Sequence, residues 1–169
     1  MEITILGRGG QGVVKAAQLL ATSAFLSGYE AQAFPMFGVE RRGAPVSSFV
    51  RIGKKPIKTR AQIKKADYVI ILDSTLIDSK RVLAKKAIIN SGNVRGNCEG
   101  IDADAIASRI FPQGVNTVMV SAFAFLTGEV SKESLIKACR EIFDTEVANK
   151  NIPLIEETFS SLAKLNKKR

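Results

Sequence analysis

Ile3-Thr4-Ile5-Leu6-Gly7-Arg8-Gly9-Gly10-Gln11-Gly12 opens the chain and is followed at once by Val13 to Leu26. The first four residues form a short apolar, β-like run. Val13, Ala16, Ala17, Leu20 and Ala24 recur at helical spacing on one face. Strand, glycine loop and helix in that order aim unpaired backbone N–H groups and the positive end of a helix dipole at an anion. The glycines permit close backbone approach and positive φ. They satisfy G-x-G-x-x-G at Gly7, Gly9 and Gly12. A dinucleotide site also requires an acid at the end of the second strand. That strand is expected over Ala31 to Pro35 and ends in Pro35-Met36-Phe37, with Glu30 at its other end. An ATP-type phosphate loop requires Lys and Ser or Thr after the last glycine, where this chain has Val13-Val14. Ordinary NAD or ATP binding is therefore disfavoured. Two readings stay open: an anion cradle, or a tight turn that lets the helix pack close to the sheet.

Composition narrows the chemistry. The chain has 169 residues, 46% of them hydrophobic, which suits one globular domain over 1–165 with a basic tail at 166–169. No apolar run has bilayer length and the first residues carry no basic-then-apolar export pattern, so no membrane association and a cytoplasmic location are expected. Cys98 and Cys139 are the only cysteines and there is no histidine. That excludes a four-thiolate iron–sulfur site, a Cys₄ or Cys₂His₂ zinc site and histidine-assisted nucleophilic catalysis. No catalytic residue and no metal ligand is expected. The net charge of +9 points to acidic partners. Nucleic acid is not expected among them, because there is no aromatic-rich strand for base stacking. The pairs Lys54-Lys55, Lys64-Lys65 and Lys85-Lys86 read as solvated surface.

Farther along, Phe37-Gly38-Val39-Glu40-Arg41-Arg42-Gly43-Ala44-Pro45 joins two strands without room for a helix, which makes those strands antiparallel and the sheet mixed. Of two adjacent arginines, one can pair with Glu40 while the other presents its planar fork to a carboxylate or phosphate; an internal ion pair fixing the loop is the equal alternative. Val46 to Ile52 alternates as a strand, and Ile57 to Arg60 is expected to pair back as a hairpin arm. Asp67 to Leu72 is a continuous apolar strand expected to be buried on both faces, ending at Asp73, which stands where strand ends meet ligands in open α/β sheets or else caps the next short helix. Ile88-Ile89-Asn90 follows a basic segment from Lys80 to Lys86, Ser91 to Gly100 is a polar loop, Ile101 an edge strand, and Asp102 caps a short helix. Asn116 to Leu126 is an almost wholly apolar helix, which argues burial within the domain or against another subunit; it and the Phe37 loop are expected at or near a subunit contact. Ser131 caps a helix whose stripe includes Cys139. A last helix is expected from Asn151 to Leu165, with Pro153 in its first turn. The fold class is α/β: a three-layer α/β/α arrangement on a mixed, mostly parallel sheet, Rossmann-like at its N-terminus.

Taken together and in order, Gly7 to Gly12, Ala33-Phe34-Pro35 leading into Phe37 to Pro45, Asp67-Tyr68-Val69-Ile70 and Val115-Asn116-Thr117 resemble the gamma subunit of 2-oxoacid:ferredoxin oxidoreductases. The likeness spans almost the whole chain. The Phe37 to Pro45 segment is most similar to pyruvate and branched-chain members; the 2-oxoglutarate members tend to carry a tyrosine-containing variant. The resemblance implies a multisubunit enzyme, of heterotetrameric type, that decarboxylates a 2-oxoacid on thiamine pyrophosphate, passes electrons through iron–sulfur clusters to ferredoxin and transfers the acyl group to coenzyme A. It implies alpha, beta and delta partner subunits that hold the thiamine and the clusters. It also implies a gamma subunit that carries no redox cofactor, is inactive alone and lies near coenzyme A. The candidate contacts are Gly7, Arg8, Gly9, Gly10, Gln11, Gly12, Glu40, Arg41, Arg42 and Asn116. A 2-oxoisovalerate- or 2-oxoglutarate-type complex is the alternative within the family. A basic docking module without a small ligand is the alternative outside it.

Overall fold

The structure is a computed structural model and describes residues 1–36, 43–77, 83–92 and 98–167. Strand β1 (Glu2–Arg8) leads into α1 (Val13–Leu26), then β2 (Glu30–Met36), β3 (Pro45–Gly53), β4 (Lys65–Ile71), β5 (Leu83–Asn90) and β6 (Cys98–Ile101). Helices α2 (Ala103–Ser108), α3 (Val115–Thr127), α4 (Lys132–Ile142) and α5 (Thr145–Asn166) complete the chain. The six strands lie in the order β2-β3-β1-β4-β5-β6. β3 is antiparallel to both its neighbours, and the three remaining pairings are parallel. The α/β class and the mixed, mostly parallel sheet stand as expected and are consistent with a three-layer α/β/α fold. β2 lies at an edge, which is where a sheet tolerates Pro35, and Pro45 is the first residue of β3.

The larger core lies between one sheet face and the helices. Ile3, Ile5, Ile70 and Ile88 pack there with residues from all five helices. Phe123 of α3 is fully buried and meets Tyr68 of β4 edge-on, centroids 5.3 Å apart. Of the two expected reasons for the apolar character of α3, burial within the domain is the one observed: nine of its residues are buried within this chain, between the sheet and helices α1, α2 and α5, so the helix needs no subunit contact to cover them.

The other sheet face carries a smaller apolar layer of Leu6, Val69, Ile71, Leu76 and Ile89. Beside it lies a group of Phe49, Ile63 and Ala66 with Phe34 packed against them. Here the sequence expectation fails. Residues 57–60 form no hairpin arm. The buried guanidinium of Arg51 instead donates to the carbonyls of Thr59 (3.4 Å) and Ala61 (2.6 Å), while its Nε bonds Glu2 (2.8 Å). With its carbonyls held by a side chain and Ile63 anchored, the segment has a tertiary alternative to strand pairing.

Three boundaries also shift. β5 begins at Leu83, inside the stretch read as a basic connector, and β6 at Cys98, inside the stretch read as a loop. α5 begins at Thr145, not Asn151, so Pro153 lies within the helix. The cap is Asp144, whose carboxylate accepts from the Val147 N–H at 2.9 Å. Pro153 removes the donor that would face the carbonyl of Asn149; both residues are exposed, so water can take its place. The caps Asp102 and Ser131 and the end of α3 at Gly128 are as expected.

Candidate functional site

β1, β4 and β5 end at the same edge of the sheet, and β3 begins there. The glycine loop sits at that edge, and each of its glycines has its own reason. A Cβ on Gly7 would lie 2.7 Å from Val13 Cγ2 and 3.3 Å from Leu72 Cβ; Gly7 thus lets α1 close onto the sheet. Gly9 extends the β1–β3 pairing: its N–H reaches the Ala44 carbonyl at 2.9 Å and its carbonyl accepts from Gly43 at 3.3 Å. Gly10 turns the chain at φ 98°, in open space. Gly12 has φ 72°, and a Cβ there would lie 2.6 Å from Asn116 Nδ2. Gln11 braces the turn, its N–H donating to the Arg8 carbonyl (3.0 Å) and its Oε1 accepting from the Arg8 N–H (2.7 Å).

Asn116, in the first turn of α3, donates to the Gly12 carbonyl at 3.2 Å. The starts of α1 and α3 therefore meet at Gly12. Neither helix has a side-chain cap, and neither carries an acid in its first turn. Two positive dipole ends converge with their first N–H groups uncompensated by any carboxylate of their own. Behind Asn116, buried Thr117 donates to Asn151 Oδ1 of α5 at 2.6 Å, and Asn151 Nδ2 donates to the Val147 carbonyl at 2.9 Å. This polar chain ties α3 to α5 and fixes where Asn116 stands.

Each of the three guanidinium nitrogens of Arg8 has a partner within the chain. Nε bonds Asp73 Oδ2 at 2.9 Å, Nη1 the Gly43 carbonyl at 3.0 Å and Nη2 the Thr75 hydroxyl at 2.7 Å. It clamps the end of β1 to the turn after β4 and to the residue following the 37–42 segment. Burial pushes the Asp73 carboxyl up, but bonds from the Thr75 hydroxyl and N–H, and then from Arg8, outweigh it and hold the group below its ordinary value. Asp73 also caps the 74–76 turn, accepting from the Thr75 N–H at 3.0 Å, so the capping role expected of it is observed.

The structure thus brings Gly7 to Gly12 together with Asn116. Glu40, Arg41 and Arg42 lie outside the described residues. Sequence reasoning missed Thr75 and Gly43 as partners of Arg8, and missed Asn151; nothing local marks contacts that span 34 to 67 positions. Among the described residues no group of three or more Cys, Asp or Glu side chains is placed to hold a metal ion, and no helix is long and apolar enough to cross a membrane.

A family model described as pyruvate ferredoxin/flavodoxin oxidoreductase matches residues 2–161. The chain is 44% identical to pyruvate synthase subunit PorC of Methanocaldococcus jannaschii, over 97% of this chain and 98% of that one. It is 40% identical to the pyruvate/ketoisovalerate oxidoreductases common subunit gamma of Thermococcus kodakarensis, over 95% and 96%. Among solved structures it is similar to the pyruvate oxidoreductase subunit PORC of Thermotoga maritima, with a TM-score of 0.79, 30% identity and 95% of each chain covered.

Proposed function

The chain belongs to the pyruvate ferredoxin/flavodoxin oxidoreductase family, and on that footing we propose how its glycine-loop edge serves the enzyme. The chain is a gamma subunit of a multisubunit 2-oxoacid:ferredoxin oxidoreductase of the pyruvate type, which converts the 2-oxoacid to acyl-CoA and CO2 with reduction of ferredoxin. Alpha, beta and delta subunits complete the assembly and hold the thiamine pyrophosphate and the iron–sulfur clusters. The gamma subunit sits beside coenzyme A. The start of α1 and the Arg41-Arg42 pair meet the phosphates of that substrate, and Asn116 fixes the loop that presents them.

The observation that carries this reading is the meeting of two uncapped helix starts at Gly12. Phosphate oxygens fit such a place because they accept several N–H bonds at once and complement both dipoles. Arg8 is a positioning residue in this scheme, since each of its three guanidinium nitrogens already holds a partner within the chain. The bound coenzyme supplies the thiol that accepts the acyl group; this chain supplies charge and orientation. The choice of 2-oxoacid is made elsewhere. A relative that is named as common to pyruvate and ketoisovalerate enzymes fits that division of labour.

One observation favours a second reading, a basic docking module without a small ligand. Gly7 and Gly12 each have a packing reason that needs no anion. Arg42→Ala in the assembled complex separates the two. The coenzyme reading expects the apparent KM for coenzyme A to rise on the order of tenfold, the loss of one charge-assisted contact, with all subunits still co-purifying. An unchanged KM together with easier dissociation of the complex favours docking.

A further inference from the structure

Between β3 and β4 the sequence reads Lys54-Lys55-Pro56-Ile57-Lys58-Thr59-Arg60-Ala61-Gln62-Ile63-Lys64-Lys65. Six of these twelve residues are cationic, and none is acidic or aromatic. All six cations are exposed. None of them takes part in any ion pair found among the described residues.

The segment is nevertheless held in one shape. Arg51 is buried at 7% exposure, and its guanidinium stacks over Phe34 at 5.2 Å and holds the carbonyls of Thr59 and Ala61. Its own charge is met by Glu2 at 2.8 Å. The Thr59 hydroxyl accepts from the Ala61 N–H at 3.2 Å, and Ile63 is sunk beside Phe49 and Ala66. The tether is thus internally neutral, and none of the six outward cations is spent on holding the loop. Arg51, itself buried and in need of acceptors, thereby fixes the loop backbone and leaves the cations turned outward. Its two ends lie where β3 finishes and β4 begins, at the sheet edge opposite the glycine loop. Seven residues of β1 separate the two edges by about 20 Å, roughly two screening lengths in 0.1 M salt.

We propose that this preformed cationic loop steers and docks a transient, carboxylate-rich protein, and that in the assembly this protein is the soluble electron acceptor. The identification of the partner rests on the oxidoreductase reading above; the preference for a transient acidic protein rests on the loop. Permanent interfaces are apolar at their centres and poor in charge. A dense patch of unpaired like charges fits a partner that arrives and leaves, because it raises the encounter rate and makes association sensitive to salt. A nucleic acid is the less suitable polyanion, because the loop offers no ring on which a base can stack.

The test uses the assembled complex with Lys54, Lys55, Lys58 and Arg60 each changed to Gln. A control complex has Lys137, Arg140, Lys164 and Lys167 changed to Gln on the helical side. The probe is an acidic ferredoxin. Its association is followed by biolayer interferometry from low to high salt, which requires no turnover. The expected result is an association rate about tenfold lower at low salt for the loop variant. Its salt dependence is flatter, the control behaves as wild type, and the rates converge at high salt. In steady state the KM for ferredoxin rises while kcat and the KM values for the 2-oxoacid and coenzyme A stay as they were. Equal association of loop variant and wild type overturns the proposal. So does loss of a subunit from the loop variant, which would make the loop an internal joint. Tighter salt-sensitive binding of an oligonucleotide than of ferredoxin overturns it as well. If wild-type complex shows no turnover with any 2-oxoacid but its association with ferredoxin still depends on the loop, the oxidoreductase reading fails and the docking surface stands.

Discussion

Alanine at Gly12 tests whether the glycine loop is shaped by packing against α3. Gly12 carries φ 72°, and a Cβ there would lie 2.6 Å from Asn116 Nδ2 and 3.1 Å from its Cγ. The left-handed backbone alone costs about 1–2 kcal/mol for a residue with a side chain. The collision adds a second cost. Asn116 must swing away, giving up its 3.2 Å bond to the Gly12 carbonyl, worth about 1 kcal/mol, and crowding a packed site for about 1 kcal/mol more. Gly12→Ala is therefore expected to lose about 3–4 kcal/mol. Gly10→Ala meets nothing within 4 Å at φ 98° and should lose only the backbone cost of about 1–2 kcal/mol. The assay is urea unfolding of the full chain, followed by circular dichroism, for the two single variants, Asn116→Ala and both double variants. In the Asn116→Ala background the atom in the way is gone and only its Cβ remains, 3.7 Å away in ordinary contact. The Gly12 and Asn116 changes should thus couple by about 1–2 kcal/mol, whereas those at Gly10 and Asn116 should add. Equal losses at the two glycines, or additivity at Gly12 and Asn116, would refute the reasoning.

Arg8→Met should weaken the acid limb of stability. Asp73 is held below its ordinary value in the folded state, so its contribution is present above the unfolded carboxylate pKa of about 4 and is lost as pH falls through the folded value. The variant should lose at most about 1 kcal/mol at pH 7, since the pair is partly solvated. The gap should narrow as pH falls below the unfolded value and through the lower folded one in urea titrations; a gap independent of pH contradicts the assignment. Cys139 is fully buried, and burial pushes its thiol up to about 11, whereas Cys98 is half-buried. Iodoacetamide at pH 8, read by intact mass, should reach Cys139 only after unfolding; labelling of Cys139 in the native chain at the rate of Cys98 would contradict the packing.

The sequence made visible what short-range physics controls. The glycine turn, the continuous run of β4, the caps Asp102 and Ser131 and the antiparallel β3 all follow from neighbouring residues. Two misreadings share one cause. Pro153 was weighed by local rule, whereas a helix already started at Asp144 and packed against α3 carries the proline on its exposed side. Residues 57–60 alternate well enough for a strand, but Arg51 claims their carbonyls from a neighbouring strand. At the site, the glycines and Asn116 were legible. The partners of Arg8 were not, because the nearest stands 35 positions away along the chain. Which arginine N–H groups are left to meet an anion depends on such distant partners, and the clamp that Arg8 forms with Asp73, Gly43 and Thr75 is not visible in the sequence.

Reconstitution tests the central claim most directly. The complex should be assembled from its subunits with and without this chain, alongside the chain alone, and pyruvate-dependent reduction of ferredoxin should be followed across a range of coenzyme A. The account predicts no turnover by the chain alone, and turnover by the others that reaches its full rate at low coenzyme A only when this chain is present. Pyruvate oxidation by this chain unaided, or an unaltered coenzyme A dependence in its absence, would contradict it.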